Sequence, residues 1–88
     1  MWVRSQNKRR FLEVKDFSIN DTDVEAVFGD YRTITLGRYS TVEKAIEVLN
    51  KIEQHLITRS KIVEKSMGEY IISDLNSIVF QMPEDKEV

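Results

Sequence analysis

Hydrophobic positions follow two different rhythms along these 88 residues. Up to Tyr39 they come in short, roughly alternating runs separated by turn formers. From Ser40 onward they recur every three or four residues. A period of two marks strands and a period near 3.6 marks a helix, so the chain reads as a series of strands followed by one helix. Val42, Ala45, Ile46, Leu49, Ile52 and Leu56 form the helical stripe, with Glu43, Lys44, Glu47, Asn50, Lys51 and Gln54 on the opposite side. Ser40 and Glu43 have the spacing of a capping box, in which each side chain accepts from the other residue's backbone N–H. Ile57, Val63 and Met67 prolong the stripe, and Gly68 is the first good stopper. The helix is therefore expected from Thr41 to about Ser66. Its Ser40–Leu56 core is about 25 Å long, about the length of a strand of seven or eight residues.

The strands are expected at Trp2–Gln6, Phe11–Ile19, Val24–Phe28 and Tyr31–Tyr39. Asn7–Arg10 suits a hairpin loop, Asn20–Asp23 is a turn by composition, and Gly29–Asp30 is a compact turn. The second strand has a fault: Leu12 and Val14 share one parity, while Phe17 and Ile19 share the other. Side chains alternate strictly, so both pairs reach one core only through a slip, such as a bulge near Lys15–Asp16. Otherwise Phe17 and Ile19 pack on the other face or on a partner chain. Gly37 marks an irregularity or close approach just before the helix. Beyond Gly68, Tyr70–Ile72 is a brief apolar patch and Asp74–Ser77 a turn. Ile78–Met82 is a last strand ended by Pro83. The resulting fold class is α+β: an antiparallel meander of about four strands, one long helix packed on one face, and a final C-terminal strand. Residues 1–83 form a single domain in this reading, and 84–88 an acidic flexible tail.

Charge refines this picture more than composition does. The net charge is −2, yet Arg4, Lys8, Arg9 and Arg10 place four cations in the first ten residues without an acid among them. Both charged ends read first as solvated surface. There is no cysteine, which excludes disulfides and thiolate metal sites. No apolar run approaches spanning length, and the N-terminus lacks a signal-peptide core. A soluble, cytoplasmic protein without membrane contact is expected.

Three segments carry a resemblance: Met1-Trp2-Val3-Arg4-Ser5-Gln6, Leu36-Gly37-Arg38-Tyr39-Ser40-Thr41 running into Val42–Leu49, and Val79-Phe80-Gln81-Met82-Pro83-Glu84-Asp85. Together they resemble a family of small, uncharacterised proteins of phages and prophages of Gram-positive bacteria. The resemblance covers the chain to about Ile57 and the last strand. It implies a phage-encoded protein working inside a bacterial host cell. The family has no assigned activity, so no functional residue carries over.

Candidate chemistry is sparse. His55, the sole histidine, sits at the edge of the helical stripe without a placed partner for acid–base work. Asp21, Asp23 and Glu25 alternate, but lack the glycine and distal Glu of a calcium loop. The glycines form no phosphate loop. Asn20-Asp21-Thr22 is a glycosylation sequon, relevant only to a secreted protein. No catalytic constellation converges, so no enzyme activity, metal or cofactor is expected. The remaining cluster is Trp2, Arg4, Lys8, Arg9 and Arg10, with Lys15 nearby, a candidate nucleic-acid or partner contact. Phe17, Ile19 and Val27 are surplus apolar positions and a candidate interface. Two functions are open. One is a non-enzymatic phage accessory protein acting by protein–protein interaction with a host or phage protein or with itself, a C2 homodimer using the uncovered sheet face or a sheet edge. The other is a small nucleic-acid-binding accessory protein using the basic N-terminal hairpin.

Overall fold

The computed structural model describes residues 1–65 and 79–88, with the side chains of residues 58–65 outside that description. The apolar patch at 70–72, the turn at 74–77, the stopper Gly68, the start of the last strand at Ile78 and the extension of the stripe through Val63 and Met67 lie outside the described residues. The elements are β1 (Trp2–Arg4), β2 (Phe11–Glu13), β3 (Asp16–Asn20), β4 (Asp23–Val27), β5 (Thr33–Arg38), α1 (Val42–Lys65) and β6 (Val79–Gln81), followed by a 3-10 turn at Asp85–Glu87. The class is α+β, with one α-helix and a C-terminal strand among the described residues.

The expected second strand is interrupted where its parity fails. It ends at Glu13 and resumes at Asp16, and the strands divide between two sheets in the orders β2-β1-β6 and β3-β4-β5. Val14 is buried at the break, and its N–H donates to the Met1 carbonyl at 2.8 Å. The break realigns the side chains, so Leu12, Phe17 and Ile19 all pack against the same core. Every neighbouring pair is antiparallel except β1 and β6, which run parallel with Val3 opposite Phe80. The returning strand thus closes against the first strand, not onto the end of the meander.

Gly37 sits at a real irregularity. Opposite Val24 and Glu25 of β4, the register jumps from Gly37 to Thr35, which makes Leu36 the extra residue of a bulge. A Cβ on Gly37 would lie 2.8 Å from the Tyr39 hydroxyl oxygen, so only glycine fits without displacing that ring. Gln6 links the two sheets. Its N–H donates to the Leu36 carbonyl, its side-chain Oε1 accepts from the Arg38 N–H at 3.0 Å, and its Nε2 donates to the Arg38 carbonyl at 3.0 Å. The side-chain amide thereby stands in for a strand along the end of β5.

The helix lies on β4 and β3. Its buried residues are Ala45, Val48 and Ile52, with Leu49 partly buried beside them. The expected stripe is thus off-centre: Val42, Ile46 and Leu56 are 44%, 46% and 45% exposed, while Val48 is fully buried. The C-terminal segment supplies the reason. Lys44 Nζ donates to the Asp85 carbonyl at 3.1 Å, and the His55 ring meets Phe80 edge-on at 5.4 Å. Docking that flank rolls Val48 inward and Val42 and Ile46 outward.

The predicted capping box does not form. The Thr41 hydroxyl accepts from the Lys44 N–H at 3.1 Å, making Thr41 the cap. The Ser40 N–H instead donates to Asp85 Oδ1 at 2.8 Å. Residues 84–88, expected as a free acidic tail, fold back onto the helix start, and Val88 packs against the core. The Ser40 N–H, with Lys44 beside it, holds the Asp85 carboxyl below its ordinary range.

Candidate interaction surface

The β1–β2 hairpin gathers the basic cluster. Arg10 is joined to Ser5 by one backbone and one side-chain bond: the Ser5 N–H donates to the Arg10 carbonyl at 2.9 Å, while the Arg10 N–H donates to Ser5 Oγ at 3.0 Å. The buried Ser5 hydroxyl donates to Asn7 Oδ1 at 2.7 Å, and the Arg9 N–H donates to that same oxygen at 2.9 Å. Lys8 takes the left-handed conformation that closes the turn, with φ 66°. Two short polar residues therefore build the loop internally and leave its long cations outside. Arg4, Lys8, Arg9 and Arg10 are all exposed and form no ion pair among the described residues.

Register assigns the rest of the surface. Val3 and Leu12 are paired and face the core, so Trp2, Arg4, Phe11 and Glu13 face outward. Trp2 lies diagonal to Phe11 across the ladder, and their rings stack with centroids 4.9 Å apart and planes 16° apart. Both remain open to solvent, at 37% and 54% exposure. Trp2, Arg4, Lys8, Arg9 and Arg10 are thus brought together on one hairpin, and Phe11 joins them. Phe11 is not among the contact residues expected from the sequence, although its parity with Glu13 and against Leu12 signals an outward aromatic. Lys15 is exposed at the β2–β3 break. A shallow cleft of about 250 Å³ opens beside the loop, between Asn7 and Arg10 on one side and Thr35 and Arg38 on the other.

Two arginines away from the hairpin are engaged. Arg38 grips Asp23 with two bonds of 2.9 and 3.2 Å, and that carboxylate raises the guanidinium's affinity for its proton. Arg32 pairs with Asp30 at 2.6 Å and lies 5.8 Å over the Phe28 ring. The Arg32 N–H and guanidinium hold the Asp30 carboxyl below its ordinary range.

The remaining candidates separate. Phe17 lies opposite Ala26 and Ile19 opposite Val24, which puts both on the helix-covered side, half-buried. Val27, opposite Asp16, belongs to the other side. His55 Nε2 is buried with no hydrogen-bond partner among the described residues. Asp23 is committed to Arg38. No group of three metal-binding side chains occurs among the described residues, nor any helix long and apolar enough to cross a membrane. No family model, curated protein or solved structure matches this chain.

Proposed function

We propose that this protein is a non-enzymatic binding module acting by protein–protein interaction, with the outer face of the β1–β2 hairpin as its contact surface. The observation that carries the reading is the exposed Trp2–Phe11 stack on a hairpin face whose other strand residues, Arg4 and Glu13, are charged. Aromatic and arginine side chains dominate the energetics of protein interfaces. Trp2 and Phe11 serve as the anchor, and Arg4, Lys8, Arg9 and Arg10 form a cationic rim. The matching partner surface has an apolar centre bordered by carboxylates. The resemblance to small phage and prophage proteins supports a phage-encoded accessory role inside a bacterium, with a host or phage protein as partner.

Capture from a lysate of such a host with the intact protein, in parallel with a Trp2→Ala/Phe11→Ala variant, tests this. The variant should retain its fold and lose the specific partner, with affinity reduced by about thirty-fold or more. Equal capture by both proteins rejects the hairpin face.

A second reading rests on the same juxtaposition: single-stranded nucleic acid, with bases stacking on the ring pair and the loop cations neutralising phosphates. Glu13 on the same face and the acidic balance of the chain favour the protein partner. Trp2 is the only tryptophan, so its fluorescence reports directly on this face. Titration with a single-stranded oligonucleotide at low salt would quench it, and Arg9→Ala/Arg10→Ala would weaken that response. An unchanged signal at low salt removes this reading.

A further inference from the structure

We infer that β3 is a self-association edge, through which two copies of the chain join their β3-β4-β5 sheets into one six-stranded antiparallel sheet. This is independent of the hairpin surface. The bonding direction along β4 shows which groups on β3 are free. Thr22 accepts from the Tyr39 N–H, and the Phe28 N–H donates to the Arg32 carbonyl, so the even-numbered residues around β4 point toward β5. The odd-numbered Asp23, Glu25 and Val27 therefore point toward β3, where they meet Asn20, Ser18 and Asp16. It follows that the backbone groups of Phe17 and Ile19 point away from the sheet. Neither residue makes a backbone hydrogen bond outside the β3–β4 ladder among the described residues.

The sequence of this edge is complementary to itself. An antiparallel pairing with its two-fold axis at Ser18 sets Phe17 opposite Ile19 of a second copy, so the four outward N–H and C=O groups of each strand are satisfied reciprocally. Asp16 then meets Asn20, and Lys15 comes beside Asp21, with no like charges opposed. Phe17 and Ile19 both lie on the helix-covered side, so the pairing extends the core across the axis.

The helix supplies an independent second contact. On its wheel, Lys44 and His55 lie on one side of the buried Ala45–Val48–Ile52 stripe, and Val42, Ile46 and Leu49 on the other. The first flank touches the C-terminal segment through Asp85 and Phe80. The second is turned away from that segment, on the side of β3, and leaves Val42 and Ile46 exposed. A helix centred over β3 and β4 would lie about 10 Å from its symmetry mate at ordinary strand spacing. That is close to the distance at which helices pack. The same axis that pairs the edges thus covers the apolar helix flank.

Light scattering of the full chain across a concentration series is expected to give twice the chain mass of 10.3 kDa. Ser18 is exposed and points away from the core, so Ser18→Lys leaves the monomer fold intact while opposing two ammonium groups on the axis. Self-association should weaken about ten-fold or more, with an unchanged circular dichroism spectrum. Ser18→Cys provides a positive test in a chain without cysteine. The paired Cα atoms would be about 4.5 Å apart at this non-hydrogen-bonded position, within disulfide range. Mild oxidation should cross-link Ser18→Cys into a dimer and leave Thr33→Cys, on the far edge, monomeric. A monomer at every concentration, a dimer indifferent to Ser18→Lys, or faster cross-linking at position 33 overturns the inference.

Discussion

On its solvent side the β3-β4-β5 sheet carries Asp16, Ser18, Asn20, Thr33 and Thr35, all exposed and polar, together with the half-buried Val27. On its solvent side the β2-β1-β6 sheet carries Trp2 and Phe11 stacked in the open, with Arg4 beside them. Both sheets back onto the same core, where Val3 and Phe80 of one join Val24, Ala26 and Leu36 of the other. The inner faces obey one rule, apolar side chains excluded from water, and the outer faces do not. An antiparallel sheet with one wet face needs only polar side chains there. The larger sheet departs from that minimum at the half-buried Val27 and exposes no large apolar side chain of this face. The smaller one places Trp2 and Phe11 where folding gains least from them, and this contrast is the ground for proposing the hairpin as a contact surface.

Truncation gives the widest separation between the two kinds of position. Ile52 is 2% exposed in the helix–sheet core. Ile52→Ala should cost about 2–5 kcal/mol, from lost burial plus the cavity left behind. Phe11→Ala removes a larger ring from an exposed site and should cost about 0.5–1.5 kcal/mol, the scale of one aromatic pair. Urea unfolding followed by circular dichroism measures both. A Phe11→Ala loss as large as that of Ile52→Ala would make the ring pair a folding element and erase the contrast.

Tyr39 tests the inner side of the same comparison with a smaller effect. It is 3% exposed, and its hydroxyl donates to the Pro83 carbonyl at 2.8 Å, tying the start of the helix to the end of the last strand. Burial first, then the nearby Asp85 and Glu87 carboxylates, push its phenol well above the ordinary value of 10.0. Below pH 10 both folded and unfolded chains keep this proton, and the hydrogen bond is fully in place. Above it the unfolded chain releases the proton while the folded chain retains it, so stability falls as pH rises. Tyr39→Phe should cost about 1 kcal/mol at neutral pH and flatten the decline above pH 10 relative to the parent. Parallel alkaline slopes in the two proteins would exclude Tyr39 as its source.

Much of this architecture is legible in the residue pattern, because local periodicity encodes local structure. The change of period at Ser40 places the helix, the parity fault between Val14 and Phe17 marks the break between sheets, and Gly37 marks the bulge. The missing parts depend on contacts remote in sequence. The parallel pairing of β1 with β6 joins Val3 to Phe80, and nothing local to either strand specifies it. The roll of the helix depends on Asp85 and Phe80, so a stripe read from the helix alone cannot choose between Val48 and Ile46 as its centre. The basic half of the candidate surface shows in the sequence as a run of like charges. Its aromatic half becomes visible only when Phe11 is assigned to a face, which requires the register with Trp2.

The helix start offers the finest distinction, because two adjacent hydroxyl residues compete there for one role. In the capping-box arrangement Ser40→Ala would be the costly change. In the observed arrangement Thr41 Oγ1 takes the Lys44 N–H and the Ser40 side chain accepts nothing among the described residues, while the Ser40 N–H is held by Asp85. Thr41→Ala should therefore cost about 1 kcal/mol, and Ser40→Ala only a few tenths. Asp85→Asn should act with pH in a way that neither alanine variant does. The carboxyl's folded-state pKa lies below its ordinary value of 3.8. Its contribution is complete above the ordinary value and is lost as the pH falls below it, through the depressed folded-state pKa. Asp85→Asn should thus remove part of the acid sensitivity and leave the slope near neutrality unchanged. Thermal unfolding of the three variants at pH 7 and pH 3 separates the two arrangements. A Ser40→Ala loss exceeding that of Thr41→Ala would restore the capping box and dismiss the tail as the partner of the helix start.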